Sequence, residues 1–483
     1  MQRQNTDKIL MKNYLYNVSY RVLLIITPLI TTPYVSRVLG VEGIGVFSYT
    51  NSVVTYFTLF GVLGMNMYGQ REIVYVRDQK QERSKLFWEL TSLRFITCAM
   101  SLIVYLILMS YENYRYAAYI WSISILANLI DISWFFYGME KFREITIKNV
   151  IIKLLGVVAI FVFVRKSTDL LWYIFISAGT LLVGNLVLWR SIAEQVDFVK
   201  PCWRDVILHI KPVGVFFLPQ AIDSVYMVLD KIMLKQLSTI EQVGLYSQAD
   251  KILKLFVTII TSMGIVVSPR IAQNFQSNNE KEIKKYLEKS FEFVFLLSLP
   301  MIFGISAVSY PFVNIFFGKG YEKVSVLLTL LSPIVLLMGV NSIMGWQYLV
   351  SVKKERELLI TTTIGAVSNF AFNMLLIPIM DAMGATIASV LSMILMAAIN
   401  MIIMREVLDF KKLFSLLWKP LFSAILMYLV VKLVLVNCDL PYAEVIISIS
   451  VGIIVYFGAN ILLKEQMVIY YFKLIKGKIT KSS

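Results

Sequence analysis

Apolar runs of about twenty residues alternate with short polar, mostly basic stretches along the whole chain. Each run is long enough to cross a hydrocarbon core of about 30 Å as a helix, the form that pairs all of its own backbone polar groups. The pattern predicts fourteen helices, at residues 15–36, 44–66, 87–110, 116–137, 147–164, 169–189, 212–234, 244–268, 287–308, 324–349, 357–378, 383–404, 415–436 and 442–463. The seventh is the least regular: Pro212, Pro219, Asp223, Asp230 and Lys231 interrupt it, so a hydropathy window would split or miss it. The polar, basic residues 1–17 run into the first helix with no A-x-A-like cleavage site, which predicts an uncleaved first span.

The stretch SRVLGVEGIGVFSY, residues 36–49, breaks the apolar pattern between the first two helices. It has a second copy. Residues 41–53 (VEGIGVFSYTNSV) align with 240–252 (IEQVGLYSQADKI) at a constant offset of 199, with Glu42 on Glu241, Gly45 on Gly244 and Ser48 on Ser247. A further echo sets KFREI (141–145) on KEREL (354–358) at an offset of 213, the extra residues fitting a longer outer loop in the second half. The repeat holds six helices, an even number, so both halves face the same way, as in a parallel repeat about an axis along the membrane normal. The expected organisation is a lobe at 1–200, a second at 201–410, and two further helices with a basic tail at 411–483. In the first copy Gly40 and Gly43 supply turn geometry and Gly45 close packing, while Glu42 sits near the positive end of the next helix. GVEGIG is no nucleotide loop, because it follows a helix and not a strand, and no G-x-x-x-x-G-K-[ST] occurs to bind ATP.

Composition agrees: 58% hydrophobic, 16% charged, mean hydropathy +0.71. The net charge of +15 would suit nucleic acid, but the basic residues lie in short loops. One set of alternating loops holds 31 Lys and Arg and the other holds 7. Basic loops stay inside, so both termini are expected in the cytoplasm and no nucleic-acid partner is expected. The outer loops are short, which argues against a membrane polymerase or ligase with its own extramembrane catalytic residues. Cys98, Cys202 and Cys438 are too dispersed for a disulfide framework. His209 is the single histidine, offers no metal cluster, and reads as an interfacial residue.

Eight basic residues fall inside the predicted spans. A charge at the bilayer centre costs ~2.5–3.5 kcal/mol on insertion scales, so such charges face a wet cavity, a partner or a pathway unless they snorkel from a span end. Arg94, Lys153, Lys419, Lys432 and Glu444 read as snorkelling. Arg21 lies two turns into the first span, before Pro28 and Pro33. Asp223 and Asp230 share one face of the seventh, and Lys251 and Lys254 share one face of the eighth. Asp250 and Lys254 are also spaced for mutual neutralisation at i,i+4. Asp131 is a further intramembrane acid.

PYVSRVLGVEGIGVFSYTNSVVTYF, WFFYGMEKFREITIKN and SVYMVLDKIMLKQLSTIEQVGLYSQADKI resemble the Wzx-type polysaccharide flippases of the MOP exporter superfamily, which also contains MATE exporters and lipid II flippases. The resemblance runs from about residue 10 to 465. It implies an all-α integral membrane protein with two pseudo-symmetric six-helix lobes around a central cavity, two C-terminal helices, and alternating access in the bacterial cytoplasmic membrane. The implied substrate is an undecaprenyl-diphosphate-linked oligosaccharide; membrane lipids, a polymerase and chain-length machinery are the implied surroundings. Related flippases line the cavity with cations, for which Arg21, Lys231, Lys251 and Lys254 are the nearest candidates. Guanidinium and ammonium groups suit a diphosphate in a low-dielectric cavity. Asp131, Asp223 and Asp250 are candidates for carrying a coupling proton or Na⁺; no other cofactor, metal or catalytic residue is expected. A small-molecule exporter of the same fold is the alternative.

Overall fold

A computed structural model describes the backbone of residues 2–437 and 443–470, and the side chains of these residues except at 2–22, 24, 25, 218, 219, 222, 223 and 225–227. The described residues are almost entirely helical. The helices are α1 (Gln2–Val62), α2 (Met65–Val76), α3 (Lys80–Met109), α4 (Arg115–Leu129), α5 (Ser133–Gly138), α6 (Phe142–Phe163), α7 (Leu170–Trp189), α8 (Trp203–Leu208), α9 (Ile210–Leu237), α10 (Ile240–Thr261), α11 (Gly264–Gln276), α12 (Glu280–Phe316), α13 (Glu322–Leu331), α14 (Pro333–Ser342), α15 (Glu355–Ile403), α16 (Phe410–Val436) and α17 (Ala443–Leu462). A π-helical segment, Ile343–Leu349, continues α14. Eleven stretches among the described residues are long and apolar enough to cross a membrane. Large apolar side chains stand exposed along α3, α6, α7, α16 and α17, the surface a lipid-embedded helix presents.

Two of the long helices are each a pair joined at a break. In α1 the break is Gly40 (φ 68°, ψ 179°), and in α15 it is Asp381 (φ 52°, ψ −131°). Gly40 lies in the left-handed region, which costs a residue with a Cβ about 1–2 kcal/mol. This is the turn that SRVLGVEGIG predicts. Its counterpart at the offset of 199 is Thr239, where the same joint is made differently: φ is −123°, and the side-chain oxygen accepts from the Gln242 N–H at 3.5 Å as an N-cap.

The repeat is deeper than its thirteen aligned residues. The helix after the joint ends at Val62 in the first copy and Thr261 in the second, and the next begins at Met65 and Gly264, each pair 199 apart. At the offset of 213, Lys141 and Lys354 both precede a helix start. The Lys141 N–H donates to the Phe136 carbonyl at 2.9 Å and the Lys354 N–H to the Leu349 carbonyl at 2.8 Å. The preceding residues, Glu140 and Lys353, have φ of 57° and 60°. This reversed turn at a helix end, with its bond across six residues, is the Schellman geometry.

Two compact units emerge, Met1–Lys235 and Gln236–Ser483. In the first, α4 packs on α1, α3 and α7, with a core around Phe87, Trp134, Phe135 and Phe136 and another around Val35, Leu39 and Tyr173. Helix α9 begins against this unit. Gly64 (φ 80°) lies so close to the Phe216–Phe217 backbone that a Cβ there would sit 2.8 Å from it. In the second, α12 packs on α13, α14, α16 and α17, while α10 packs on α13, α14 and α15.

Candidate functional site

The charges inside the apolar helices fall into three groups. The first is on α9. Asp230 is buried and interacts electrostatically with Tyr56 of α1. Lys231 beside it is half-buried and engaged with neighbouring groups. One turn on, Lys235 Nζ lies 3.7 Å from Glu112 Oε1 and 5.6 Å from the centre of the Tyr49 ring, a cation–π contact. Asp223 falls on α9, but its side chain lies outside the described residues. So does that of Arg21 on α1.

The second group is on α10. Lys254 Nζ donates to Asp250 Oδ2 at 2.8 Å, the i,i+4 pair expected from the spacing. Lys254 keeps 41% of its side-chain surface, so the pair is open on the lysine side. Lys251 shares that helix, half-buried and also engaged. The candidate cations are thus distributed: Lys231 belongs to the first compact unit, Lys251 and Lys254 to the second.

The third group corrects an expectation. Arg94 does not snorkel; it is 1% exposed. Its Nε donates to the Asn128 carbonyl at 2.6 Å, one terminal nitrogen to Asn66 Oδ1 at 2.9 Å, and the other to Asp131 Oδ2 at 3.4 Å. Asp131 is therefore paired, and its other oxygen accepts from the Ser133 N–H at 3.0 Å at the start of α5. At the break between α4 and α5 the Asn128 carbonyl accepts from both the Asp131 N–H, at 3.2 Å, and Arg94. A charge far from either end of α3 is held by side chains 28 to 37 residues away.

Sequence reasoning missed a lattice of buried amides in the second unit. Asn400 Nδ2 donates to Asn341 Oδ1 at 3.1 Å and Asn373 Nδ2 to Asn369 Oδ1 at 3.1 Å; Asn369 Nδ2 reaches Ser389 Oγ at 3.4 Å. The signal was present in NFAFN, where Asn369 and Asn373 sit at i,i+4 in an apolar run. Among the described residues no three His, Cys, Asp or Glu groups converge as for a metal ion. Cys98 is buried and Cys202 exposed, both as free thiols, and Cys438 lies outside the described residues.

Apolar helices carrying a few held charges define a multi-pass membrane protein. Residues 10–275, more than half of the chain, match the family model described as polysaccharide biosynthesis protein, and residues 216–375 match the MatE model. The chain belongs to the polysaccharide biosynthesis protein family, the Wzx-type group of the MOP superfamily. It is 24% identical over 364 residues to a candidate O-antigen transporter of Escherichia coli (strain K12), covering 73% of this chain and 86% of that one. Among solved structures, the lipid II flippase MurJ in an inward closed conformation superposes with a TM-score of 0.71 at 15% identity, over 96% of this chain and 100% of that one. An inward-facing multidrug resistance MATE family transporter of the MOP superfamily gives 0.58 at 13% identity, over 81% and 98%. These likenesses show the fold.

Proposed function

We propose that this chain moves an undecaprenyl-diphosphate-linked oligosaccharide repeat unit from the cytoplasmic to the outer leaflet of the cytoplasmic membrane, by ion-coupled alternating access through fourteen spans with both termini inside. The observation that carries this reading is the family match over residues 10–275, joined to a relative named for O-antigen transport that is covered over 86% of its length. The chemistry supports it. A diphosphate crossing a low-dielectric region needs fixed cations, and Arg21, Lys231, Lys251 and Lys254 are the candidates. With no ATP-binding motif in the chain, an ion gradient is the drive; one charge moved through 100 mV yields ~2.3 kcal/mol. Asp250 and Asp223 are the first candidates for the coupling ion. Asp131 is a poorer one, since Arg94 already neutralises it.

Deleting the gene should leave lipid-linked repeat units on the cytoplasmic leaflet and abolish surface polymer. Repeat units that still reach the outer face would overturn the reading. The MatE match at 216–375 favours a second reading, export of small molecules. Under it, deletion leaves surface polymer intact and raises sensitivity to cationic toxins.

A further inference from the structure

His209 sits between two helices of the first unit. Its Nδ1 lies 2.8 Å from the Tyr68 hydroxyl on α2, and its Nε2 lies 3.1 Å from Glu89 Oε2 on α3. Glu89 is 5% exposed. His209 is the residue immediately before α9, the helix that carries Asp230, Lys231 and Lys235.

Charged groups on three elements surround it among the described residues, Arg204 beside Asp205 on α8 included. On α2 they are Arg71, stacked over the Tyr68 and Phe216 rings, and Glu72. On α3 it is Lys85, 3.8 Å from Glu89 Oε1; on α8 it is Asp205, 2.9 Å from Lys85. The hydrogen bond and charge of Lys85 hold the Asp205 carboxyl below its usual range, so Asp205 stays ionised at neutral and mildly acidic pH.

We propose that His209 and Glu89 form a proton site that sets how firmly the start of α9 is tied to α2 and α3, with His209 acting as a positioning residue for transport. The hydrogen bonding fixes the chemistry. An ionised Glu89 only accepts, so in the neutral imidazole Nε2 carries the hydrogen and donates to it, while Nδ1 accepts from the Tyr68 hydroxyl. A proton taken from solvent goes onto Nδ1. The Tyr68 oxygen then turns from donor to acceptor, and the Nε2 bond becomes a charge-assisted bond to a buried carboxylate, the stronger kind. The tie is tighter when protonated and looser when neutral.

Two measurements on the full chain in lipid vesicles test this. Hydrogen exchange, corrected for its intrinsic pH dependence, should show protection of residues 203–215 rising several-fold as the pH falls from 8 to 5.5. His209→Gln keeps a donor to Glu89 but no titration, and should abolish the rise; Glu89→Gln should do the same. The flipping rate of the unaltered protein should fall over that range, and the His209→Gln profile should be flat. Protection that is independent of pH in the unaltered chain overturns the proposal, as does an unchanged pH profile in His209→Gln. The rate measurement rests on the flippase reading and the exchange measurement does not. An unaltered chain that flips nothing yet shows the exchange response would fail the former and leave the proton site standing.

Discussion

The two halves meet the same problem, an interruption within an apolar helical stretch, with different chemistry. In the first, the helix breaks between Leu129 and Ser133; at the offset of 213 the second has the π-helical segment Ile343–Leu349. Asn128 and Asn341 correspond, and both are engaged at the interruption. There the likeness ends. The first half satisfies its break with a buried ion pair, Arg94 with Asp131. The second uses neutral groups: Gln347 Oε1 accepts from Ser290 Oγ at 2.9 Å, and Asn341 bonds to Asn400 and the Met393 carbonyl. The π-helical segment is braced by neutral amides, whereas at the full break a long guanidinium reaches the Asn128 carbonyl, the Asn66 amide and the Asp131 carboxylate together.

The largest effect should come from Arg94→Ala, which leaves the buried Asp131 carboxylate without its cation and Asn66 Oδ1 without its donor. A loss of about 3–5 kcal/mol is expected, read as a large fall in the thermal midpoint of the purified protein. Gln347→Leu, at the matching place in the second half, strands only the Ser290 hydroxyl and should cost about 1–3 kcal/mol. Equal losses would show that the charged and neutral solutions are energetically alike, and would break the comparison.

The two joints sharpen it next. Gly40→Ala should cost about 1–2 kcal/mol, because Ala at φ 68° is strained whatever the space around it. Thr239→Ala, which removes only the N-cap, should cost about 1 kcal/mol. The informative cross-check is Thr239→Gly: it should cost only a few tenths of a kcal/mol, since Gly also caps well. A cost as large as that of Gly40→Ala would mean that the Thr239 hydroxyl does more than cap.

These joints were legible in the sequence and the charged break was not. A glycine cluster between apolar runs, and a carboxylate one residue after the helix start, mark a turn by local chemistry. The aligned thirteen residues then located its copy, and KFREI against KEREL located both reversed turns, because all of these depend on neighbours in the chain. Arg94 was misread for the opposite reason. Scored singly, an arginine in a span invites snorkelling; only the fold brings Asn66, Asn128 and Asp131 around it. The partners of His209 are hidden from the sequence for the same reason, lying 141 and 120 residues away. For the candidate site, spacing found the Asp250–Lys254 pair, again a contact within one helix.

The smallest stability effect should come from that pair. Lys254→Gln breaks a half-exposed ion pair and should change stability by about 0–1 kcal/mol, while on the flippase reading it lowers transport several-fold. A transport loss matched by an equal loss of folded protein would reduce Lys254 to a structural role.

The most direct test of the central claim is flipping by the purified chain alone. Vesicles are loaded with an undecaprenyl-diphosphate-linked oligosaccharide, and its exposure to a membrane-impermeant sugar oxidant is followed after an ion gradient is imposed. In protein-free vesicles about half of the substrate should be oxidised at once, and the remainder should become accessible only when the chain is present. A protected fraction that is the same with and without the protein, under every gradient, would contradict it.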